Sequence, residues 1–326
     1  MDVLPGIFRL ELPMPFELRH VNVYLLRDGD NFTLVDTGLQ TEESRQALNE
    51  KLAALQVPVD RINRILITHI HPDHFGLAGE LRERARAELV IHRLEVALME
   101  PRYARAEDLV HDVAAWLSKN GVPPAEAEFV KTASMAAREF VSVVEPDTLL
   151  EGAERLPIDA TELEVVWTPG HSPGHTCFRV PDHGLLLSGD HVLPTITPHI
   201  ALSRSNREGD PLGEFLESLA KVDRPDVRQV LPAHEHRFDD VHRRVDEIMA
   251  HHRVHLAALE ATLATGPKTL WELAKGLVWN RPWDELDSMM HRAAVNETAA
   301  HLRHLSRQGK ASRQRGTRPI TFEASR

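Results

Sequence analysis

An α+β fold is expected for this chain of 326 residues, and three observations predict it. Short apolar runs rich in Val, Ile, Leu and Phe alternate with longer segments of helical spacing. Several of those runs end in an aspartate or a histidine. After Thr265-Gly266-Pro267 the pattern changes to short helical segments and a turn-rich basic stretch, Gly309 to Phe322, so a second, smaller unit is expected there.

In order, strands are expected at Ile7 to Leu10, Asn22 to Leu26 and Phe32 to Val35, the last two joined as a hairpin by the turn signal Asp30-Asn31. A helix follows from about Glu42 to Leu55 and stops at Pro58. The buried strand Arg64 to Ile67 leads into Thr68-His69-Ile70-His71-Pro72-Asp73-His74-Phe75-Gly76, then a helix to about Arg86 and a strand at Leu89 to His92. Residues 100–145 read as a helical insertion interrupted at Gly121-Val122-Pro123-Pro124, with Tyr103, Trp116, Met135 and Phe140 as its apolar content. Strands return at Glu164 to Trp167, Thr176 to Val180 and Gly184 to Ser188. A helix spans Pro211 to Lys221, a strand ends at Leu231, and a long helix runs from about Phe238 to Leu263. The expected units are a catalytic body, 1–250, and a C-terminal unit, 251–326.

Composition excludes several classes. No run of 18 apolar residues exists, so no membrane-spanning helix is expected, and the N-terminus lacks the basic and apolar regions of a secretory signal, so a cytoplasmic location is expected. The single Cys177 rules out an internal disulfide and a cysteine-rich zinc finger, and strand packing is its expected place. The net charge of −11 argues against the whole chain gripping nucleic acid. The charge is uneven: residues 265–326 hold 11 Lys and Arg against 6 Asp and Glu, leaving 27 against 43 in the remainder. A basic, solvated tail on an acidic body is the expected arrangement.

The chemistry concentrates where strands end. His69, His71, Asp73 and His74 fall within six positions, and imidazole and carboxylate are the usual ligands of zinc and similar ions. His69 and His71, two apart on extended backbone, point the same way, while Asp73 and His74 follow Pro72 and turn back. Two ligands for one ion and two for a neighbour is the natural geometry. Thr168-Pro169-Gly170-His171-Ser172-Pro173-Gly174-His175, Ser188-Gly189-Asp190-His191, Leu231-Pro232-Ala233-His234 and Asp36-Thr37-Gly38 each end a further strand.

With these five spaced motifs, residues 1–250 resemble the metallo-β-lactamase superfamily of hydrolases. The resemblance implies a four-layer αββα sandwich with the site along one edge. It implies two divalent ions, zinc before iron or manganese, the first held by His69, His71 and His171 and the second by Asp73, His74 and His234, with Asp190 bridging. Two such ions about 3.5–4 Å apart activate a bridging hydroxide for attack on a carbonyl or phosphorus. Asp73 and Asp190 are the expected catalytic carboxylates, one orienting the attacking group and the other setting the metal spacing. Asp36 is expected to orient a histidine, and His175 to support a ligand or a turn. His191 and His199 are candidates for lining the substrate pocket, with His20 a weaker one; His251, His252 and His255 read as solvated.

Departures from particular members narrow the substrate. Classical zinc β-lactamases do not combine this cluster with an aspartate placed like Asp190. The metal set is that of glyoxalase-type thioesterases, but their glutathione-recognising helices are not recognisable. The tail, with Leu270 to Leu286, resembles the winged-helix extension of some members, among them an endoribonuclease-like branch. The apolar insertion is expected to close as a helical lid over the site, and such a lid and an acidic body suit an ester or thioester of a small molecule better than RNA. The rival expectations are a metal-dependent endoribonuclease or phosphodiesterase, and a non-catalytic ligand sensor or scaffold; a homodimer through the C-terminal unit is a further expectation.

Overall fold

A computed structural model of the chain describes residues 2–104, 106–127, 137–159, 161–202 and 208–325. Met135 lies outside them. Seven strands form the first sheet in chain order: β1 (Asp2–Leu4), β2 (Ile7–Pro13), β3 (His20–Asp28), β4 (Asn31–Val35), β5 (Ile62–Ile67), β6 (Glu88–His92) and β7 (Thr148–Leu150). The hairpin expected at Asp30 is present, pairing β3 with β4 antiparallel. From β4 onwards the strands run parallel, so the ends of β4, β5 and β6 lie on one edge. That edge receives Asp36, the His69–His74 cluster and His92.

The second sheet has the order β12-β11-β10-β9-β8, from β8 (Arg155–Ile158), β9 (Thr161–Trp167), β10 (Thr176–Val180), β11 (Leu185–Gly189) and β12 (Gln229–Pro232). β9 and β11 both pair antiparallel with β10, and β12 is parallel to β11. The ends of β9, β11 and β12 therefore share an edge, which carries the 168–175 loop, Asp190 and His234.

Three apolar clusters define four layers. Tyr24, Leu26, Val35, Leu66, Phe178 and Leu187 pack between the sheets. On the outer face of the first sheet lie α1 (Glu42–Ala54), α2 (Pro72–Phe75) and α3 (Ala78–Ala85), through Leu48, Leu52, Phe75 and Leu81. α4 (Arg93–Met99) and α5 (Ala106–Lys119) follow β6. On the outer face of the second sheet lie α6 (Pro211–Val222) and α7 (Val241–Ala264), through Phe215, Leu219, Val245 and Ile248. Helix, sheet, sheet, helix is the expected order. Each fully buried Leu or Phe in these clusters stabilises by about 1.5–3 kcal/mol.

The helix expected from Phe75 to Arg86 is divided, with α2 ending at Phe75 and α3 beginning at Ala78, although Gly76 between them keeps helical dihedrals. A Cβ there would lie 2.4 Å from the Gly38 carbonyl oxygen and 2.5 Å from that of Pro72, so only glycine lets α2 abut the 36–40 loop. α7 runs unbroken across residues 250–251. Its N-terminal half faces the second sheet, and its C-terminal half packs Leu259 and Leu263 with α8 (Leu270–Gly276) and α9 (Ser288–Arg307). A three-stranded sheet, β13 (Lys268–Thr269), β14 (Ala311–Arg313) and β15 (Thr321–Ala324), completes this unit.

Two expectations are corrected here. His252 and His255 are not solvated: they are 0% and 3% exposed, because α9 covers the face of α7 that carries them. The apolar residues of the insertion also do not gather into one cover. Tyr103 packs against the outer core of the first sheet, as does Phe140, whereas Trp116 and Leu117 join the cluster of α8 and α9. Among the described residues no helix is long and apolar enough to cross a membrane.

Cys177 sits in the outer core of the second sheet, as expected, fully buried, with its sulfur 3.3 Å from the Ser188 carbonyl oxygen. Burial pushes the thiol pKa up to about 12, so thiolate is scarce at neutral pH. A disulfide reagent such as dithiobis-nitrobenzoate is expected to leave the native protein unlabelled and to titrate one thiol in denaturant; rapid labelling of native protein would contradict this placement.

Candidate metal centre

The loop after β5 and the loop after β9 meet between the two sheet edges. His69 Nε2 lies 2.9 Å from His71 Nδ1, and His171 Nε2 lies 3.2 Å from the first and 3.0 Å from the second. Ligands of a tetrahedral ion bound at about 2.0–2.1 Å are about 3.4 Å apart, so three ring nitrogens converge as such an ion requires. Beside them Asp73 Oδ2 and His234 Nε2 are 3.2 Å apart, and His74 Nε2 lies 3.5 Å from Asp73 Oδ2. Asp190 stands between: Oδ2 is 3.5 Å from His171 Nε2, while Oδ1 is 3.3 Å from His234 Nε2 and 3.5 Å from His74 Nε2. All seven expected ligand residues thus come together as two groups, each able to hold one ion.

The donors are pre-set by what lies behind them. Asp36 accepts from Thr68 N at 2.8 Å, from the Thr68 hydroxyl, and from His74 Nδ1 at 2.8 Å. With its proton given to Asp36, the Thr68 hydroxyl accepts from His69 Nδ1 at 3.0 Å. His171 Nδ1 donates to the His199 carbonyl at 2.9 Å and His234 Nδ1 to the His20 carbonyl at 3.3 Å. In all four histidines the Nδ1 proton is thereby fixed and Nε2 is turned inward, which is how metal-binding imidazoles are oriented. His74 Nε2 and Asp190 Oδ1 are buried with no hydrogen-bond partner, as expected of atoms meant for an ion. The residues fit a pair of divalent cations.

The electrostatics agree. Burial and the neighbouring imidazoles hold His69 well below the usual histidine pKa, and burial likewise lowers His71 and His171, so the first group is neutral. Burial opposes the charge on His74 and His234, yet Asp73 and Asp190 prevail, raising His74 well above its ordinary value and His234 to about 10. Both carboxylates are held well below their usual range against burial by these same histidines. The second group therefore demands positive charge, which protons supply until a cation replaces them.

The remaining expected residues divide. Asp36 lies against His74 and accepts from its Nδ1. His175 is a turn and support residue: its Nε2 accepts from the Asp190 backbone N–H at 3.1 Å, so its Nδ1 donates to the Thr168 hydroxyl at 2.8 Å. His199 contributes through its carbonyl, and its own Nε2 donates to the Ala293 carbonyl of α9 at 3.0 Å. His191 does not line a pocket. It is fully buried behind His175, against Phe215, because the chain turns inward after Asp190. Gly170 makes this packing close: its φ is +135° and a Cβ would lie 2.6 Å from the Phe215 Cα.

Three participants were missed from sequence. Glu95 of α4 is wholly buried; it accepts from Ile70 N at 2.9 Å and Gly174 N at 2.7 Å and so ties the two ligand loops together. Its one signal was position, one turn after a strand ending on the same edge. Tyr103 of the insertion donates its hydroxyl to the Ile70 carbonyl. Arg102 beside it puts a positive charge near His71 and Glu95. Truncating Asp36 to alanine frees two histidine rings to rotate, and a 10–100-fold loss of metal affinity or turnover is expected, read by zinc titration and steady-state kinetics, of about the size such support residues carry.

A four-layer αββα body whose sheet edges deliver paired histidine and aspartate groups defines a metallo-hydrolase. Residues 17–234 match the metallo-beta-lactamase superfamily, and the chain belongs to it. A metallo-beta-lactamase family protein from Thermus thermophilus is 33% identical, with a TM-score of 0.85 over 99% of this chain and 100% of that one. The probable metallo-hydrolase YqjP of Bacillus subtilis is 26% identical over 91% of both chains. The human acyl-coenzyme A thioesterase MBLAC2 is 28% identical over 72% of this chain and 79% of its own.

Proposed function

We propose that the protein hydrolyses a thioester or ester of a small molecule with two divalent ions, zinc by preference, held by His69, His71 and His171 on one side, Asp73, His74 and His234 on the other, and Asp190 between. The position of Asp190 carries this reading, since its two oxygens face different ligand groups. When bound, the ions supply an activated water and polarise the carbonyl under attack. Asp190 would lie between the two ions and offset their charge. Asp73 would help to hold the second ion, and its carboxylate would orient a water there and help to carry its proton. Asp36, Thr68, His175 and Glu95 keep the donors aimed. The Tyr103 hydroxyl is spent on Ile70 and leaves no proton for the leaving group.

The thioester preference draws support from the similarity to a protein named as an acyl-coenzyme A thioesterase. Arg102 adds a cation at the His71 side, which suits an anionic small molecule. The acidic charge of the chain as a whole disfavours RNA. The test is a panel of acyl-thioesters, lactones, phosphodiesters and unstructured RNA, with metal-loaded, metal-stripped and Asp73→Ala protein. Thioester cleavage lost on stripping and restored by zinc supports the reading. Equal rates with and without metal, or cleavage confined to RNA, would overturn it.

A further inference from the structure

A second histidine-rich cluster lies between α7 and α9, apart from the centre described above. His251 and His255 are one turn apart on α7, and Glu297 and His301 one turn apart on α9, so each helix turns a pair of ligand-type residues toward the other. His251, His255 and Glu297 bring one ligand atom each within 4.8 Å of one another, and His252, Glu297 and His301 do the same. The rings of His251 and His255 are 4.3 Å apart, and those of His255 and His301 5.4 Å.

The hydrogen bonds show which atoms are spoken for. His255 Nε2 donates to the Val278 carbonyl at 3.1 Å, which leaves Nδ1 as a bare lone pair; that atom is buried and has no partner. His301 Nδ1 donates to the Glu297 carbonyl at 2.8 Å, and His252 Nδ1 donates to His301 Nε2 at 3.1 Å. The 252–301 pair is thus largely satisfied without an ion, although His252 Nε2 is left over. The 251–255–297 set is not: His251 Nε2 is a loose 4.0 Å from the Glu297 carboxylate, whose side chain is only 12% exposed. A buried carboxylate, an orphaned imidazole nitrogen whose other nitrogen is anchored to a carbonyl, and an adjacent imidazole are a ligand set of the zinc type.

We propose that this joint is a third metal site, in which His251, His255 and Glu297 hold a structural divalent ion of the zinc class. The ion pins α9 to α7. Its effect extends toward the hydrolytic centre, because one turn before Glu297 the Ala293 carbonyl receives the His199 ring, and the His199 carbonyl in turn receives His171 Nδ1.

Zinc content by plasma mass spectrometry tests the site on the full chain, loaded with zinc and desalted. Wild-type protein is expected to carry one equivalent more than His251→Ala or Glu297→Gln; His251 has 36% of its side chain exposed, so its removal leaves the packing intact. The same difference is expected in a His71→Ala/His234→Ala background, where added zinc also raises Tm and His251→Ala reduces that rise. The comparison is a difference between matched proteins, so an incomplete hydrolytic centre lowers both totals without touching it. Equal zinc content with and without His251 and Glu297, or no zinc-dependent Tm rise in the His71→Ala/His234→Ala background, would overturn the proposal.

Discussion

Asp190→Asn is expected to lower kcat/KM for the best substrate by about 10³-fold or more, with the fold retained. The carboxylate faces both ligand groups, with one oxygen 3.5 Å from His171 Nε2 and the other 3.3 Å from His234 Nε2. An amide of the same shape turns an NH2 toward one group and removes the negative charge between two cations. Lewis-acid stabilisation by such an ion pair is worth several kcal/mol, and about 4 kcal/mol corresponds to about 10³ in rate. The fold is insensitive to the change because the backbone N–H of residue 190, not its side chain, holds the turn through His175 Nε2. Steady-state kinetics and zinc content measure both consequences. A variant with full metal content and activity within tenfold of wild type would remove Asp190 from the bridge.

Glu95→Ala is expected to cost about 2–6 kcal/mol of stability. The side chain is fully buried and accepts from Ile70 N and Gly174 N, one on each ligand loop. Truncation leaves two buried N–H groups unpaired, each costing about 1–3 kcal/mol, and opens a cavity besides. Burial raises the Glu95 pKa, with the Ile70 and Gly174 N–H groups and the Arg102 charge pulling the other way, so those donors help the site to tolerate the charge. Glu95→Gln keeps one acceptor but turns an NH2 toward the other N–H, so its loss is expected to be smaller. Urea unfolding distinguishes the pair. An alanine variant within 1 kcal/mol of wild type would mean that the loops hold themselves.

Much of the fold was legible because it is locally encoded. β10 appears at Thr176–Val180 as read from its apolar run, and α1 ends within one residue of its expected end. β1, β7 and β8 escaped detection: they are three or four residues long, too short to carry a period, and form because a neighbouring strand offers unpaired groups. Residues of ligand type were legible because a strand end is visible in sequence and a side chain just beyond it is aimed by that strand; their division into two metal groups followed from the resemblance to the superfamily.

Residue types at strand ends determined by themselves that this chain could assemble histidines and aspartates into a two-ion site, since a side chain's chemistry and a strand's direction are local properties. Only the tertiary structure decided what stands behind those ligands. Glu95, Tyr103 and the carbonyls of His20 and His199 act through contacts between segments far apart in sequence. His252 and His255 were read as solvated because a polar helix face is ordinarily left to water, yet whether water reaches that face depends on where α9 comes to rest. Burial is a property of the pair of surfaces, and no segment carries it alone.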